Sequence, residues 1–257
     1  MEIKIDYTKS AQDNANDYYS RAKKLAQKRA GAERAIRDLE KKLKEEEQKS
    51  VEKERRVLKV VKREWYESFR WFFTSNNMLV IGGRDAHQNE LLNSKHFGDR
   101  DLFFHANIFG APVTILKDGV DAAKEVKEEV AQFAASYSSA WEEGLRSIDV
   151  YAMRRNQVSK SSEKGSLGTG SFLLKGERDW YRNIELSLVM FVKDGRLNTA
   201  PIRTFQKLEA VGKHVVISQG EMKKSDAGKK IAAYLSLDDL DNVIRQLPAG
   251  SFSLKNQ

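Results

Sequence analysis

Residues Trp65 to Pro112 read WYESFRWFFTSNNMLVIGGRDAHQNELLNSKHFGDRDLFFHANIFGAP, and the reading of this stretch decides the fold. Aromatic and apolar runs at Trp71 to Phe73, Met78 to Ile81 and Leu102 to Phe104 alternate with polar loops. Short runs of this kind between turn residues predict strands, and Asn76-Asn77 between the first two predicts a hairpin. The second run stops at Gly82-Gly83 and then presents Arg84, Asp85, His87, Gln88, Asn89 and Glu90. Glycine permits backbone shapes and close approaches that a Cβ blocks, so this is either a working loop or a tight turn with solvated flanks.

Upstream, Ile3, Ile5 and Tyr7 alternate as a short strand, and Thr8 or Ser10 can cap a following helix. Ala11, Ala15, Tyr18, Ala22, Leu25, Ala32, Ile36, Leu39 and Leu43 then recur in steps of four and three, with Arg29 filling the one missing place. That is a heptad seam. Val51, Leu58, Val61 and Trp65 form a second seam offset by one residue, so the arm either carries a stutter near 45–50 or folds back there as a hairpin. A single helix of about 55 residues would project roughly 80 Å. Arg21, Lys23, Lys24, Lys28 and Arg29 form a basic cluster on it, answered by Glu45-Glu46-Glu47. Such a cluster is either a solvated helix face or a phosphate-contacting arm.

Downstream, the pattern predicts a strand at Pro112 to Leu116, a helix at Val120 to Trp141 and a strand at Ser147 to Met153. The helix buries Val126, Val130, Phe133, Ala134 and Tyr137, and Ile148, Val150 and Ala152 share one strand face. Residues 154–171 then read as the longest loop, carrying Arg154, Arg155, Lys160 and Lys164 among serines and glycines. Exposed amides and cations suit phosphate, although the glycine spacing is not that of a nucleotide P-loop. Phe172 to Leu174 is expected to re-enter the sheet, and Lys175, Arg178 and Trp180 mix cations with an aromatic face, as base-stacking platforms do. Strands at Leu186 to Val192, Arg196 to Arg203 and His214 to Ser218 and helices at Ser225 to Leu235 and Ser236 to Leu247 complete the chain. The expected fold is α/β, a mixed sheet with flanking helices after a long helical coiled-coil arm. Its expected divisions are an arm at 1–67, a domain at 68–250 and a tail at 251–257.

The chain has 257 residues, 40% hydrophobic and 32% charged, with a net charge of +8 and no cysteine. The basic excess favours a polyanionic partner, and the missing cysteines exclude disulfides and thiolate metal sites. No apolar run reaches the roughly 20 residues of a membrane span and no signal peptide is visible, so a cytoplasmic protein is expected. The four histidines are His87, His96, His105 and His214. With Asp85, Asp99 and Asp101 they suggest a metal-dependent nuclease as a minor alternative, but their spacing matches no ligand motif. No catalytic residue, metal or cofactor is expected.

Three motifs, Gly82-Gly83-Arg84-Asp85-Ala86-X-Gln88-Asn89-Glu90, Asp101-Leu102-X-X-His105-Ala106 and Gly110-Ala111-Pro112, together resemble the NFACT-R signature. The likeness continues through Phe133 to Trp141, Gln157 to Lys160 and Gly168 to Phe172, and covers most of residues 60–193. NFACT-R domains occur in ribosome-associated quality-control factors of the archaeal and bacterial RqcH type, in eukaryotic NEMF, and in proteins historically labelled fibronectin-binding. The resemblance implies an RNA-binding, non-enzymatic module whose partners are large-subunit rRNA and tRNA. It also makes the arm a coiled-coil middle segment beginning at Asn14-Ala15-X-X-Tyr18-Tyr19, with self-association or a coiled-coil partner as the rival use. Gly82, Gly83, Arg84, Asp85, Gln88, Asn89, His105, Arg154, Arg155, Lys160, Lys164, Lys175, Arg178 and Trp180 are the residues expected to face RNA. Ala152-Met153 and Arg155-Asn156 depart from the family, which has bulky aromatics and a proline there. The family's amino-terminal domain has no counterpart in this sequence, which is therefore expected to be a carboxy-terminal part or a reduced member.

Overall fold

A computed structural model describes residues 4–57, 64–162, 165–166, 168–208 and 212–256, with side chains described except at 44–57, 161–162 and 165–166. The chain divides into two compact units, Met1–Arg63 and Glu64–Gln257.

The first unit is built on one helix, α1 (Ala11–Val57, 47 residues), about 70 Å long at 1.5 Å per residue. It runs unbroken through 45–50, so the hairpin alternative falls away. Leu58 and Val61 of the second seam lie outside the described residues. Ser10 Oγ accepts from the Asp13 amide at 3.1 Å, capping the first turn. The strand expected before it does not form over residues 4–7. Asp6 N instead donates to Asn14 Oδ1 at 2.8 Å, Asn14 Nδ2 donates to the Asp6 carbonyl at 2.9 Å, and the Tyr18 hydroxyl donates to the Lys4 carbonyl at 2.6 Å. Helix side chains have taken the peptide groups that a strand would pair.

The second unit begins with a hairpin, β1 (Arg70–Phe73) and β2 (Leu79–Gly82), whose turn places Asn77 at φ 59°. Asparagine tolerates that left-handed conformation, as the sequence predicts. There follow α2 (Ala86–Leu91), a single π turn at Leu92–His96, β3 (Leu102–Ala106) and β4 (Thr114–Leu116). The next helix, α3 (Lys124–Ser136), is shorter at both ends than its apolar pattern. Gly119 holds the Ala122 amide in a turn before it, and after it Ser138 Oγ donates to the Ala135 carbonyl and opens a run of turns to Gly144.

Then come β5 (Ser147–Arg154), the two-residue strands β6 (Val158–Ser159), β7 (Ser161–Ser162), β8 (Gly165–Ser166) and β9 (Leu173–Leu174), and β10 (Asp179–Glu185). The chain finishes with β11 (Leu188–Lys193), β12 (Arg196–Pro201), α4 (Ile202–Phe205), β13 (His214–Met222), α5 (Lys224–Leu235), α6 (Leu240–Gln246) and β14 (Phe252–Asn256). The two expected final helices are present, separated where Ser236, at φ 56°, terminates α5 and Asp239 caps α6 through the Asn242 amide. Residues 252–256, within the expected tail, are an edge strand.

Two larger sheets result among the described residues, in the orders β1-β2-β4-β3-β5-β10 and β12-β11-β13-β14, beside the two-stranded pairs β6-β9 and β7-β8. The mixed α/β class holds, and within it every described pairing is antiparallel. The first sheet is buried on both faces. Phe72, Val80, Phe104, Leu116 and Val150 point into a large core with α3 and the second sheet, while Ile81, Phe103, Ile115 and Met153 point into a smaller one on the opposite face. Double burial explains why these strands read as continuous apolar runs rather than as alternation. Each fully buried large side chain contributes about 1.5–3 kcal/mol.

Candidate nucleic-acid interface

The signature loop after β2 is a brace. A Cβ on Gly83 would lie 2.0 Å from Asn89 Oδ1, so only glycine fits. That same Oδ1 accepts from the Val113 amide at 3.1 Å. Asp85 caps α2, accepting from the Gln88 amide at 2.8 Å. Gln88 Oε1 accepts from the Arg84 amide, and its Nε2 donates to the Ser68 carbonyl. Arg84 donates from Nε to the Ser68 carbonyl, from Nη2 to that of Phe69 at 2.9 Å and from Nη1 to that of Arg245 at 2.8 Å. Burial, then the neighbouring guanidiniums of Arg70 and Arg245, lower its pKa to about 10. Every polar side chain of Arg84, Asp85, Gln88 and Asn89 thus has an internal partner.

The stretch after β5 is not a free loop. β6 pairs with β9, not with the main sheet as Phe172 to Leu174 suggested, and β7 pairs with β8. The resulting ribbon folds onto α2. Gly170, at φ +78°, sits where an added Cβ would come within 2.8 Å of Ala86 Cβ. Lys160 donates to the Gly168 carbonyl at 2.8 Å, lies 3.3 Å from the Glu90 carboxylate and rests over the Phe172 ring. The two loops singled out in the sequence are therefore neighbours. Arg155 is held over the Phe97 ring and donates to the Val158 carbonyl, whereas Arg154 and Lys175 face solvent; Lys164 lies outside the described residues.

Beside the ribbon, the strand register places His105, Tyr151 and Trp180 in one row across β3, β5 and β10. Tyr151 meets His105 with ring centroids 5.7 Å apart and Trp180 at 5.4 Å. Arg178 lies over Tyr151 at 4.5 Å and Trp180 at 5.7 Å, and Arg182 lies over Trp180 at 4.2 Å. Both guanidiniums belong to exposed residues, although Arg182 also pairs with Asp149. His105 Nδ1 lies 2.7 Å from the Ala106 carbonyl, which can only accept, so the proton sits on Nδ1. Burial is the main cause that lowers the pKa of His105 and keeps the ring neutral. Tyr151 and Arg182 were not singled out in the sequence. Arg178, Trp180 and Arg182 recur with period two and so share a strand face, but Tyr151 joins them only through the pairing register.

The histidines and aspartates do not converge on a metal, and among the described residues no group of three possible ligands is present. Asp101 is buried and accepts from Lys117 and from the amides of Gly98 and Asp118. His96 stacks on Trp65 and His214 packs on Phe205. In the arm, Arg21, Lys23, Lys24 and Lys28 face solvent, and Arg29 pairs with Glu33 at 2.9 Å. Among the described residues no helix is long and apolar enough to cross a membrane.

A scan against known families matches residues 68–176 to the NFACT protein RNA binding domain. Residues 68–176 are an NFACT RNA-binding domain. The chain is homologous to ribosome quality control factors of the Rqc2/NEMF kind. It is 38% identical over 213 residues to the archaeal Rqc2 homolog aRqcH of Methanocaldococcus jannaschii, covering 79% of this chain and 31% of that protein. To the ribosome quality control complex subunit NEMF of Homo sapiens it is 33% identical over 174 residues, 65% of this chain and 16% of that protein. The chain thus spans about a third or less of these relatives. Among solved structures, the C-terminal part of the fibronectin/fibrinogen-binding protein from Streptococcus suis matches with TM-score 0.40 and 21% identity, over 53% of this chain and 49% of that one. No catalytic family is indicated. The NFACT match takes in the signature loop and the ribbon and stops just short of Arg178, Trp180 and Arg182.

Proposed function

We propose that the second unit is a non-enzymatic RNA-binding module of a ribosome quality control factor, taking RNA of the large ribosomal subunit, tRNA or both. The observation that carries the site is half-buried Trp180, backed by the buried Tyr151 ring and flanked by the exposed Arg178 and Arg182. An aromatic face beside guanidiniums stacks an unpaired base while the cations meet its phosphates. In this reading Gly82, Gly83, Arg84, Gln88 and Asn89 act beneath the surface and the exposed Asp85 caps α2, together fixing α2 and the ribbon in place. Arg154, Lys160 and Lys175 supply outer phosphate contacts, and Lys164 is proposed with them from sequence alone. Trp180→Ala should weaken RNA binding by about 1–3 kcal/mol, the worth of one stacked base, and because Trp180 also packs against the smaller core the melting transition should fall but remain cooperative. Unchanged affinity for both tRNA and large subunits in a folded Trp180→Ala chain would remove the row from the site.

A second use belongs to the arm. Leu25, Ile36, Leu39 and Leu43 of the seam are 65, 54, 63 and 62% exposed, a stripe that a partner helix would cover. Sedimentation equilibrium is expected to show self-association of the full chain that Leu25→Glu/Leu39→Glu abolishes. A concentration-independent monomer would assign the stripe to another protein instead.

A further inference from the structure

Arg70, Arg84, Lys224 and Arg245 come together from four elements at one place between the first hairpin and the last two helices. Arg84 Nε and Arg245 Nη2 share the Ser68 carbonyl at 3.3 and 3.5 Å, and Arg84 Nη1 reaches back to the Arg245 carbonyl. Arg70 Nη1 donates to the Gly83 carbonyl at 2.7 Å, while Lys224 Nζ donates to the Leu247 carbonyl at 3.0 Å. The partners named are all neutral backbone oxygens. Among the described residues none of the four forms an ion pair. Arg70 also lies over the Tyr137 ring at 4.7 Å and is within the influence of the Asp85 carboxylate, which caps α2.

Elementary electrostatics makes this an unbalanced arrangement. The carbonyls at the C-terminal end of α6 supply about half a negative charge, against four formal positive ones. Arg84 and Lys224 both have lowered pKa values, with burial the largest cause and the neighbouring arginines adding to it. Arg70 Nε is buried with no partner. Cations that face only neutral acceptors retain free N–H donors: Arg245 is exposed, and Lys224 and Arg84 are half-buried. The same end of the cluster holds the first turn of α5, where Lys223 stands at the N-cap without a side-chain cap.

We propose that this cluster is a phosphate-binding site that seats one phosphate group of the RNA backbone, with Arg245 and Lys224 as the direct ligands and Arg84 and Arg70 beneath them. It rests on the RNA-binding reading for the source of the phosphate, and on the cluster itself for the anion. A phosphate here would add a contact from α5 and α6, outside the matched NFACT segment.

Arg84→Gln would remove three hydrogen bonds to backbone carbonyls, so the test uses the outer pair, Arg245→Gln and Lys224→Gln, in the full chain. Inorganic phosphate at fixed ionic strength should raise the melting temperature of the wild type saturably, more than chloride does, and should not do so for the double variant. With RNA, the log–log salt slope of binding should fall by about 0.7–0.9 for the lost phosphate contact, uniformly across RNA sequences. Phosphate stabilisation no greater than that of chloride would overturn the site even if RNA binding were intact. If the wild type bound no RNA but gave the saturable phosphate effect, the anion site would stand and its source would be a free phosphate. An RNA slope identical in wild type and double variant would overturn the backbone-phosphate assignment.

Discussion

Glu129→Ala is expected to destabilise the second unit by about 3–5 kcal/mol, the cost of stripping one partner from a buried charged network. Glu129 is fully buried in α3, the helix packed between the sheets. Its carboxylate accepts from the Ser75 amide at 2.8 Å, the Ser75 hydroxyl at 2.6 Å, the Thr204 hydroxyl at 3.0 Å and Lys207 Nζ at 2.8 Å. Those donors come from the β1–β2 turn and from α4 and its following turn, so one carboxylate ties three segments. Alanine leaves three neutral donors without their acceptor in a place water reaches poorly, and unpairs the Lys207 ammonium, whose side chain is 43% exposed. Against a total stability of about 5–15 kcal/mol for an ordinary domain, that loss is a large share. Glu129→Gln keeps one acceptor oxygen but turns an NH2 group toward donors, and should fall between the two. Urea unfolding with an unchanged m-value is the measurement. A loss below about 1 kcal/mol for alanine would mean that the network holds nothing together.

Gly83→Ala is the second large effect, expected at about 2–6 kcal/mol. The new methyl would displace the Asn89 side chain, whose Oδ1 lies 2.0 Å from the built position, and the Asn89 amide nitrogen at 3.1 Å limits escape. Overpacking costs about 1–3 kcal/mol, and the buried Val113 amide that loses Asn89 as acceptor adds about 1–3. The two contributions separate in a double-mutant cycle. In an Asn89→Ala background the added cost of Gly83→Ala should shrink by at least about 1 kcal/mol, because the clash is gone and the acceptor already lost. Equal cost in both backgrounds would show that the crowding comes from the Asn89 backbone and not from its side chain.

These two sites differ in how far the sequence discloses them. Gly83 stood out because a glycine pair at a strand end is a local signal, and so did Asn77 in its turn, Ser10 as a cap, and the apolar runs of β1 to β5. Each depends on residues within about four positions. Glu129 gave no signal, since its partners lie 54 to 78 positions away and its place on α3 reads as solvated in a helix pattern. Arg84 is legible only in part for the same reason. A cation after two glycines suggests an anion ligand, whereas its guanidinium clamps a carbonyl 161 positions away. Within the ribbon, residues 158–171 read as a loop because two-residue strands are too short to show a period, and Phe172 to Leu174 reads as a strand of the main sheet. The aromatic row was half visible, through period two in β10, and needed the register of β5 and β3 for the rest.

The central claim is that the NFACT-bearing unit holds RNA through stacked aromatics and a limited set of phosphate contacts. The measurement is binding of the full chain to labelled tRNA and to purified large ribosomal subunits across a salt series, with Trp180→Ala/Arg178→Gln alongside. The account predicts affinity that falls linearly on the log–log plot, and a double variant that is weaker at every salt concentration and shallower in slope by about 0.7–0.9. Binding by neither RNA at low salt, or a variant indistinguishable from wild type throughout, would contradict it.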